Sequence, residues 1–365
     1  MNIPIANPGA AYKRHQKEID QVVSDVLSSG WYILGKNVKS FEAAFASYCQ
    51  TRFAIGVANG TDADELALRA VGVVAGSSVV TVANTANATV SAIERIGAVP
   101  VFVDVDQRTQ NMDPKALEAV LSSRQVSAIL VVHLFGHPAN LPKIMDLAKE
   151  CKVPVVEDCA QAHGAAIYER RVGSVADVGA FSFYPTKNLG ALGDGGAITT
   201  SSDKYADTLG LLRQYGWRSR YSSEIKGVNS RLDELQAAIL LTKLRILDDN
   251  TSRRREIARR YNEAFKDLPL TLPVEEPGFV HVYHQYVIQT KCREMLAEHL
   301  KEQGVGTAVL YPTPIHKQPA YLASYGRVQL PVTELLAQRI LSLPVYPELS
   351  DMEVEWVIKS VREMF

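Results

Sequence analysis

Short, continuously apolar runs alternate with segments whose apolar residues recur every three to four positions through the first two thirds of the chain. The runs FAIGVA (53–58), SSVVTVA (77–83), VPVFVDV (99–105), AILVVHL (128–134) and VPVVED (153–158) read as strands buried on both faces. Thr61–Val71, Ala86–Ile96, Pro114–Leu121 (entered through Asp113) and Leu141–Lys149 carry the helical period between them, and Glu18–Ser28 and Val38–Tyr48 precede them as helices. This rhythm predicts a largely parallel central sheet flanked by helices, an α/β class.

The pattern changes at Asp233. LDELQAAILLTKLRILDDNTSRRREIARRYNEAFKDL keeps helical periodicity over about three dozen residues, long enough to bridge two lobes. After Pro269 the segments are shorter. HVYHQYVIQ predicts a strand, REMLAEHLKEQG a helix ending at Gly304, and GTAVLY another strand. The expected organisation is a large α/β domain over residues 1–249 and a smaller C-terminal α+β domain over residues 250–365. No internal repeat or low-complexity linker interrupts it.

Bulk properties narrow the function classes. The 365 residues exceed the roughly 250–300 at which a single core stops growing, which agrees with two lobes. A net charge of −1 removes any global electrostatic case for nucleic acid. No apolar run approaches the ~18 residues of a membrane span, and MNIPIANPGAAYKRHQKEID lacks a signal-peptide core. The 4 cysteines are scattered without a CxxC, which fits free thiols in a reducing cytoplasm. The expected partners are therefore small molecules.

Ligands of open parallel sheets bind beyond the carboxyl ends of the strands. After FAIGVA comes Asn59-Gly60-Thr61, which opens a helix and presents free N–H groups to an anion. After VPVVE comes Asp158. After GAFSF comes Tyr184-Pro185-Thr186-Lys187. Singly, these read as an N-cap, a structural carboxylate and a solvated lysine. Together they supply what pyridoxal phosphate needs: an amine for a Schiff base, a carboxylate to keep the pyridine nitrogen protonated, and a phosphate cradle. GALGDGG contains no GKS or GKT and leads into the strand-like AITT, so neither a Walker loop nor a dinucleotide fingerprint fits. His133 and His137 have i, i+4 spacing, but Gly136 and Pro138 break any helix there, and no metal is expected.

The stretches GWYILGKNVKSFEAAFASY, ANGTDAD, GAVPVFVDVD, VEDCAQAHGA, FSFYPTKNLGALGDGGAI, GVNSRLDELQAAIL and YPTPIHKQPAY run nearly the length of the chain. In this order the chain resembles a nucleotide-sugar aminotransferase of the DegT–DnrJ–StrS group, within the fold-type I pyridoxal phosphate enzymes. The resemblance implies that Lys187 carries the cofactor, that Asp158 pairs with the pyridine nitrogen, and that Gln161 approaches the ring or its phenolic oxygen. It implies phosphate contacts from Gly60, Thr61 and Ser182, and from Asn229 of a neighbouring subunit, so that the active unit is a homodimer with shared sites. Many relatives place an aromatic residue near TVANTANATV to stack on the ring. Residues 81–90 contain none here; Ala86 aligns with it, leaving Asn84, Asn87 or backbone to cover the ring.

The implied reaction moves an amino group from an amino acid, usually L-glutamate in this family, to a nucleotide-linked keto-sugar. LRQYGWRSRYSSEIKGVNSRLDELQAAIL and YPTPIHKQPAY resemble members acting at C3 of a dTDP-linked 3-keto-6-deoxyhexose more than members acting at C4. Tyr184, Arg218, Arg220, Tyr221, Lys226 and His316 are the candidates for the sugar or its pyrophosphate; the plain alternative for the cationic ones is a solvated loop face. A sugar dehydratase on the same fold resembles this pattern but has histidine where Lys187 stands. A non-catalytic regulator would tolerate loss of Lys187, Asp158 or Asn229, and all three are present.

Overall fold

The computed structural model describes residues 1–365. Three helices, α1 (Pro8–Arg14), α2 (Gln16–Ser29) and α3 (Lys36–Cys49), lead into the alternation β1 (Phe53–Val57), α4 (Gly60–Ala70), β2 (Ser78–Val82), α5 (Asn87–Arg95), β3 (Val99–Val103), α6 (Pro114–Ser123), β4 (Ala128–Val132), α7 (Leu141–Cys151) and β5 (Val155–Asp158). Then come β6 (Val178–Ser182), β7 (Gly196–Thr200) and α8 (Asp203–Leu212). The seven strands form one sheet in the order β1-β7-β6-β5-β4-β2-β3, parallel except for β7, which is antiparallel to both neighbours. The expected mostly parallel sheet with helices on both faces is what forms.

The reason lies in the strand composition. Successive side chains point to opposite faces. Val155 enters one apolar cluster with Ile129, Val131, Leu117 and Ile144, while Val156 enters the other with Leu130, Val178, Ala180 and Leu66. A continuous apolar run is thus consumed on both sides.

Register sets the edge where chemistry is possible. Val57 and Ser182 both pair with Gly196, so β1 and β6 leave the sheet at the same level. Asp158 pairs with Ala180 on the other flank of β6. Phe181 and Phe183 bracket Ser182 and pack on Phe45 at centroid distances of 5.0 and 5.4 Å. This aromatic packing leaves the intervening Ser182 to face the start of α4.

The long helical pattern after Asp233 is two helices, α9 (Glu234–Leu244) and α10 (Leu247–Phe265). Ile246 leaves helical geometry at φ −112 and ψ 6. No Gly or Pro marks this break, so periodicity alone ran through it. HVYHQYVIQ is likewise only partly a strand. Its second half forms β8 (Tyr286–Gln289), paired with β9 (Ile340–Leu343). Tyr283, at φ 45, turns the first half away, and His281 stacks on its ring. GTAVLY contributes a single bridge, Ala308 to Ser342, in place of the expected strand. Helices α11 (Arg293–Glu302), α12 (Pro319–Tyr325), α13 (Pro331–Arg339) and α14 (Asp351–Arg362) complete the chain. Ile257, Tyr261, Phe265, Tyr286, Leu296 and Val357 form the core between α10, β8, α11 and α14.

One side chain locks the amino-terminal helices to the rest. Gly35 precedes α3 as its N-cap residue and offers no capping side chain. The buried Glu234 does so instead, accepting N–H bonds from Gly35 (2.8 Å), Asn37 (2.9 Å) and Val38 (2.8 Å), and from Asn37 Nδ2 (2.9 Å). A carboxylate on these free donors also meets the positive end of the helix. Glu234→Ala strands those donors and should destabilise the protein by about 3 kcal/mol. Urea denaturation followed by circular dichroism checks this; a loss under about 1 kcal/mol would show that solvent replaces the cap.

Candidate active site

The turn after β1 begins with Asn59, whose side chain accepts the Asp62 N–H at 2.8 Å and caps α4. Gly60 follows as the first helical residue. A methyl group on it would lie 2.5 Å from Ser182 Cβ, so only glycine lets the α4 N-terminus meet β6 this closely. The structure therefore brings Gly60 and Ser182 together, with Thr61, partly buried, beside them.

Asp158 ends β5 and is buried. Its carboxylate accepts from Thr89 Oγ1 and from the Ala160 N–H, both at 3.0 Å, and Thr89 is itself 2.8 Å from Thr85 Oγ1. Burial holds the carboxyl above the usual range, and these hydrogen bonds and the nearby Lys187 charge oppose the shift. Gln161 is fixed from two sides. Its Oε1 accepts from the Phe135 N–H (2.7 Å), and its Nε2 donates to the Tyr311 hydroxyl (3.2 Å). Burial pushes the Tyr311 phenol up to about 12, with the Asp158 charge adding to it.

Lys187 closes a turn in which its N–H meets the Tyr184 carbonyl at 2.8 Å. Gly190 finishes that turn, since a methyl group there would sit 2.5 Å from the Pro185 carbonyl oxygen. Lys243 Nζ donates to the Gly190 carbonyl at 2.5 Å, and the Leu192 N–H to Gln236 Oε1 at 2.8 Å, so α9 holds the loop. Burial lowers the Lys187 pKa. Asp158 and Asp64 pull it back only through space. The flanking histidines stay neutral: burial takes His163 down to about 3 and His284 well below its ordinary value, and the Lys187 charge contributes to both. Asp64, 2% exposed on α4, keeps an oxygen without a partner, and burial followed by the Asp158 charge raises its pKa.

The remaining predicted residues divide between exposed and buried positions. Tyr184 is exposed on the Lys187 turn. Arg218 is spent on ion pairs with Asp207 (2.5 Å) and Glu224 (3.1 Å). Arg220 lies over the exposed Tyr221 ring, and the Lys226 carbonyl accepts from Arg69. All four belong to an exposed segment around the short hairpin of Trp217–Ser219 and Ser222–Ser223. Asn229 is exposed, whereas its neighbour Ser230 is buried against Ala58 and Asp62. His316 is not surface-accessible: it is 0% exposed, 3.0 Å from Glu334 and beside Phe102. Of the residues considered for the ring face, Asn84 is buried with an unpartnered amide nitrogen, Asn87 bonds Gln318, and Ala86 precedes α5.

Thr89, Tyr311, Asp64 and His284 were missed from sequence. Thr89 and Tyr311 lie within TVANTANATV and YPTPIHKQPAY, where a lone hydroxyl carries no pattern of its own. Asp64 carried a readable signal, an acidic residue on the buried side of an amphipathic helix.

His133, Glu157 and Cys159 cluster in the core. Glu157 already accepts from His133 Nε2 (3.1 Å) and from the N–H groups of Gly173, Val175 and Ala176. His133 Nδ1 accepts from the Ala139 N–H at 2.9 Å. The His133–Glu157 pair is a hydrogen-bonded brace between strands.

Residues 13–362 match the model of the DegT/DnrJ/EryC1/StrS aminotransferase family. The chain is 47% identical over 359 residues to the dTDP-3-amino-3,6-dideoxy-alpha-D-galactopyranose transaminase of Aneurinibacillus thermoaerophilus, covering 98% of both. It is 42% identical to the dTDP-3-amino-3,4,6-trideoxy-alpha-D-glucose transaminase of Streptomyces venezuelae, covering 99% of this chain and 96% of that one. The crystal structure of S. venezuelae DesV in complex with a ketimine intermediate superimposes with a TM-score of 0.97 at 42% identity, covering 100% of this chain and 98% of that one. With its lysine turn, strand-end carboxylate and open helix terminus on one sheet edge, the chain belongs to the DegT/DnrJ/EryC1/StrS aminotransferase family.

Proposed function

We propose that the protein is a pyridoxal-phosphate-dependent aminotransferase that moves the amino group of L-glutamate to C3 of a dTDP-linked 3-keto-6-deoxyhexose. The observation that carries the reading is the Lys187 amine, desolvated and held by no hydrogen bond, at the edge where Asp158 and the α4 N-terminus also end. The names of the two relatives support the 3-amino deoxysugar.

The residues fit the cofactor. The α4 N-terminus, opened by Gly60 against Ser182, is shaped for a phosphate. Gly60, Thr61 and Ser182 would hold it, Asp158 would face the pyridine nitrogen, and Lys187 would take the aldehyde. When bound, the cofactor supplies an electron sink for charge developing at the donor Cα. Thr89 and Ala160 orient the Asp158 carboxylate, so its charge is directed before any ligand arrives. A lysine with a lowered pKa has a larger neutral fraction, which suits Lys187 to carry a proton from the donor Cα and return it.

We further read the active unit as a cytoplasmic homodimer. Trp31, Tyr184 and Tyr221 are 64%, 54% and 76% exposed, as surfaces awaiting a partner are. The proposed lobes, 1–249 and 250–365, meet in the first turn of α10.

Colour tests the reading. The purified protein should be yellow and lose its visible band on borohydride reduction. Addition of L-glutamate and then a dTDP-3-keto-6-deoxyhexose should exchange the band out and back. A colourless protein after incubation with pyridoxal phosphate would sink the proposal.

Charge at Asp158 is kept against stability. Its folded pKa lies above the unfolded value of about 3.9, so the unfolded chain releases this proton first as pH rises. Stability falls above about pH 3.9 and stays lowered beyond the folded value. Asp158→Asn should therefore melt higher than wild type at pH 7.5 without cofactor, with the gain gone below about pH 4, while turnover falls about a hundredfold or more. Thermal melts across pH check this. A lower melting temperature at pH 7.5 would mean that the hydrogen bonds from Thr89 and Ala160 outweigh the burial.

Subunit mixing tests the shared site. Lys187→Ala and Asn229→Asp subunits should each be inactive. Unfolded and remixed at equal amounts, they should recover about a quarter of native activity, because half the dimers are mixed and each mixed dimer has one intact site. Absence of recovery, with subunit exchange verified by mass, would place Asn229 at its own subunit's cofactor.

A further inference from the structure

The run Arg253-Arg254-Arg255 on α10 divides sharply. Arg253 pairs with Glu256 and Asp351, and Arg255 pairs with Glu275. Arg254, between them, is the most buried at 7% exposure, yet it has no carboxylate partner. Its Nη1 donates to the Val345 carbonyl (2.5 Å) and the Tyr283 carbonyl (3.2 Å). Glu348 reaches it only through space. Nε and Nη2, the two nitrogens that form one edge of the guanidinium fork, hold no hydrogen bond. A buried cation without a counter-ion is strongly unfavourable unless something else supplies the charge.

The surroundings show where that charge enters. Arg254, Lys187, Lys243 and Asn250 line one narrow cavity of about 70 Å³. Its cationic groups outnumber its single carboxylate, Glu348. Lys243 is tied to the Gly190 carbonyl, while the Asn250 side chain makes no hydrogen bond. His284 lines the same cavity and feels the charges of both Lys187 and Arg254. The volume excludes a nucleotide-sugar but admits a carboxylate.

We propose that this cavity binds a carboxylate of the amino-acid donor, gripped by Nε and Nη2 of Arg254 with Asn250 on the wall. The free edge of the guanidinium matches a carboxylate with two parallel N–H···O bonds. The cavity shares Lys187 with the reaction centre, so a donor held there has its amine on the lysine side. Donor and keto-sugar would then be recognised by different groups around one lysine. The inference rests on the aminotransferase reading above.

Glutarate, which has both carboxylates of glutamate and no amine, is the probe, titrated calorimetrically into the cofactor-loaded protein. Wild type should bind it at one site per chain, in competition with L-glutamate. Arg254→Lys should weaken glutarate about tenfold or more, and Asn250→Leu about fivefold. In both variants, return of the amino group from the pyridoxamine-loaded protein to the keto-sugar should stay within about twofold of wild type. A merely structural role for Arg254 would depress both half-reactions together and lower the melting temperature. Asn250→Leu decides the matter if Arg254→Lys does not fold. Glutarate affinity within twofold of wild type in Asn250→Leu, or loss of both half-reactions equally, overturns the proposal. A wild type that binds glutarate but transaminates no keto-sugar would fail the sugar assignment and leave the donor subsite standing.

Discussion

Desolvation of Lys187 is the constraint on which the site turns. An amine in water at neutral pH is protonated and inert as a nucleophile. Here the turn places it against Asp158, Asp64 and two histidines whose burial keeps them uncharged. The charges of the two carboxyls oppose, through space, the lowering of the amine's pKa, yet neither pairs with it. A direct ion pair would have fixed the proton on the lysine. The site therefore depends on charges kept near one another and apart at once, and the rigid sheet edge maintains that spacing.

That spacing explains several features that seem unrelated. Phe181 and Phe183 lock β6 into the core on one face so that Ser182 meets Gly60 on the other. Thr89 and the Ala160 N–H hold Asp158 before a ligand arrives. Helix α9 supports the loop after Lys187 from below through Gln236 and Lys243. None of these groups belongs to the chemistry, but each removes a degree of freedom from a group that does.

Much of this was legible in the chain. The continuous Val and Ile runs demanded a doubly covered sheet, and the residues after three of them named the lysine, the carboxylate and the helix terminus. Local pattern failed where tertiary contacts decide. Periodicity passed unbroken through Ile246, because a helix bend without Gly or Pro leaves no mark in composition. The strand expected at HVYHQYVIQ was halved by Tyr283, whose positive φ is sustained by packing against His281. His316 reads in sequence as a loop histidine, and the short helical turn around it buries it beside Phe102 and Glu334. The cationic stretch Arg218–Lys226 lies in and around an exposed hairpin, with Arg218 already committed to Asp207 and Glu224. Sequence names a residue's chemistry, while whether that chemistry is free depends on the neighbours the fold brings to it.

The Glu234 cap has a consequence for how the chain is made. The donors at the start of α3 and the carboxylate that satisfies them are separated by 199 residues at Gly35. On the ribosome, α3 emerges long before its cap and must wait with unsatisfied N–H groups until α9 has been synthesised. Strand β1 waits as well, since its partner β7 lies more than a hundred residues downstream. Contacts this distant in sequence slow folding and lengthen the exposure of apolar edges. Helix α3 and strand β1 are therefore among the first parts translated and among the last to be secured, and they stay open to a chaperone for most of synthesis.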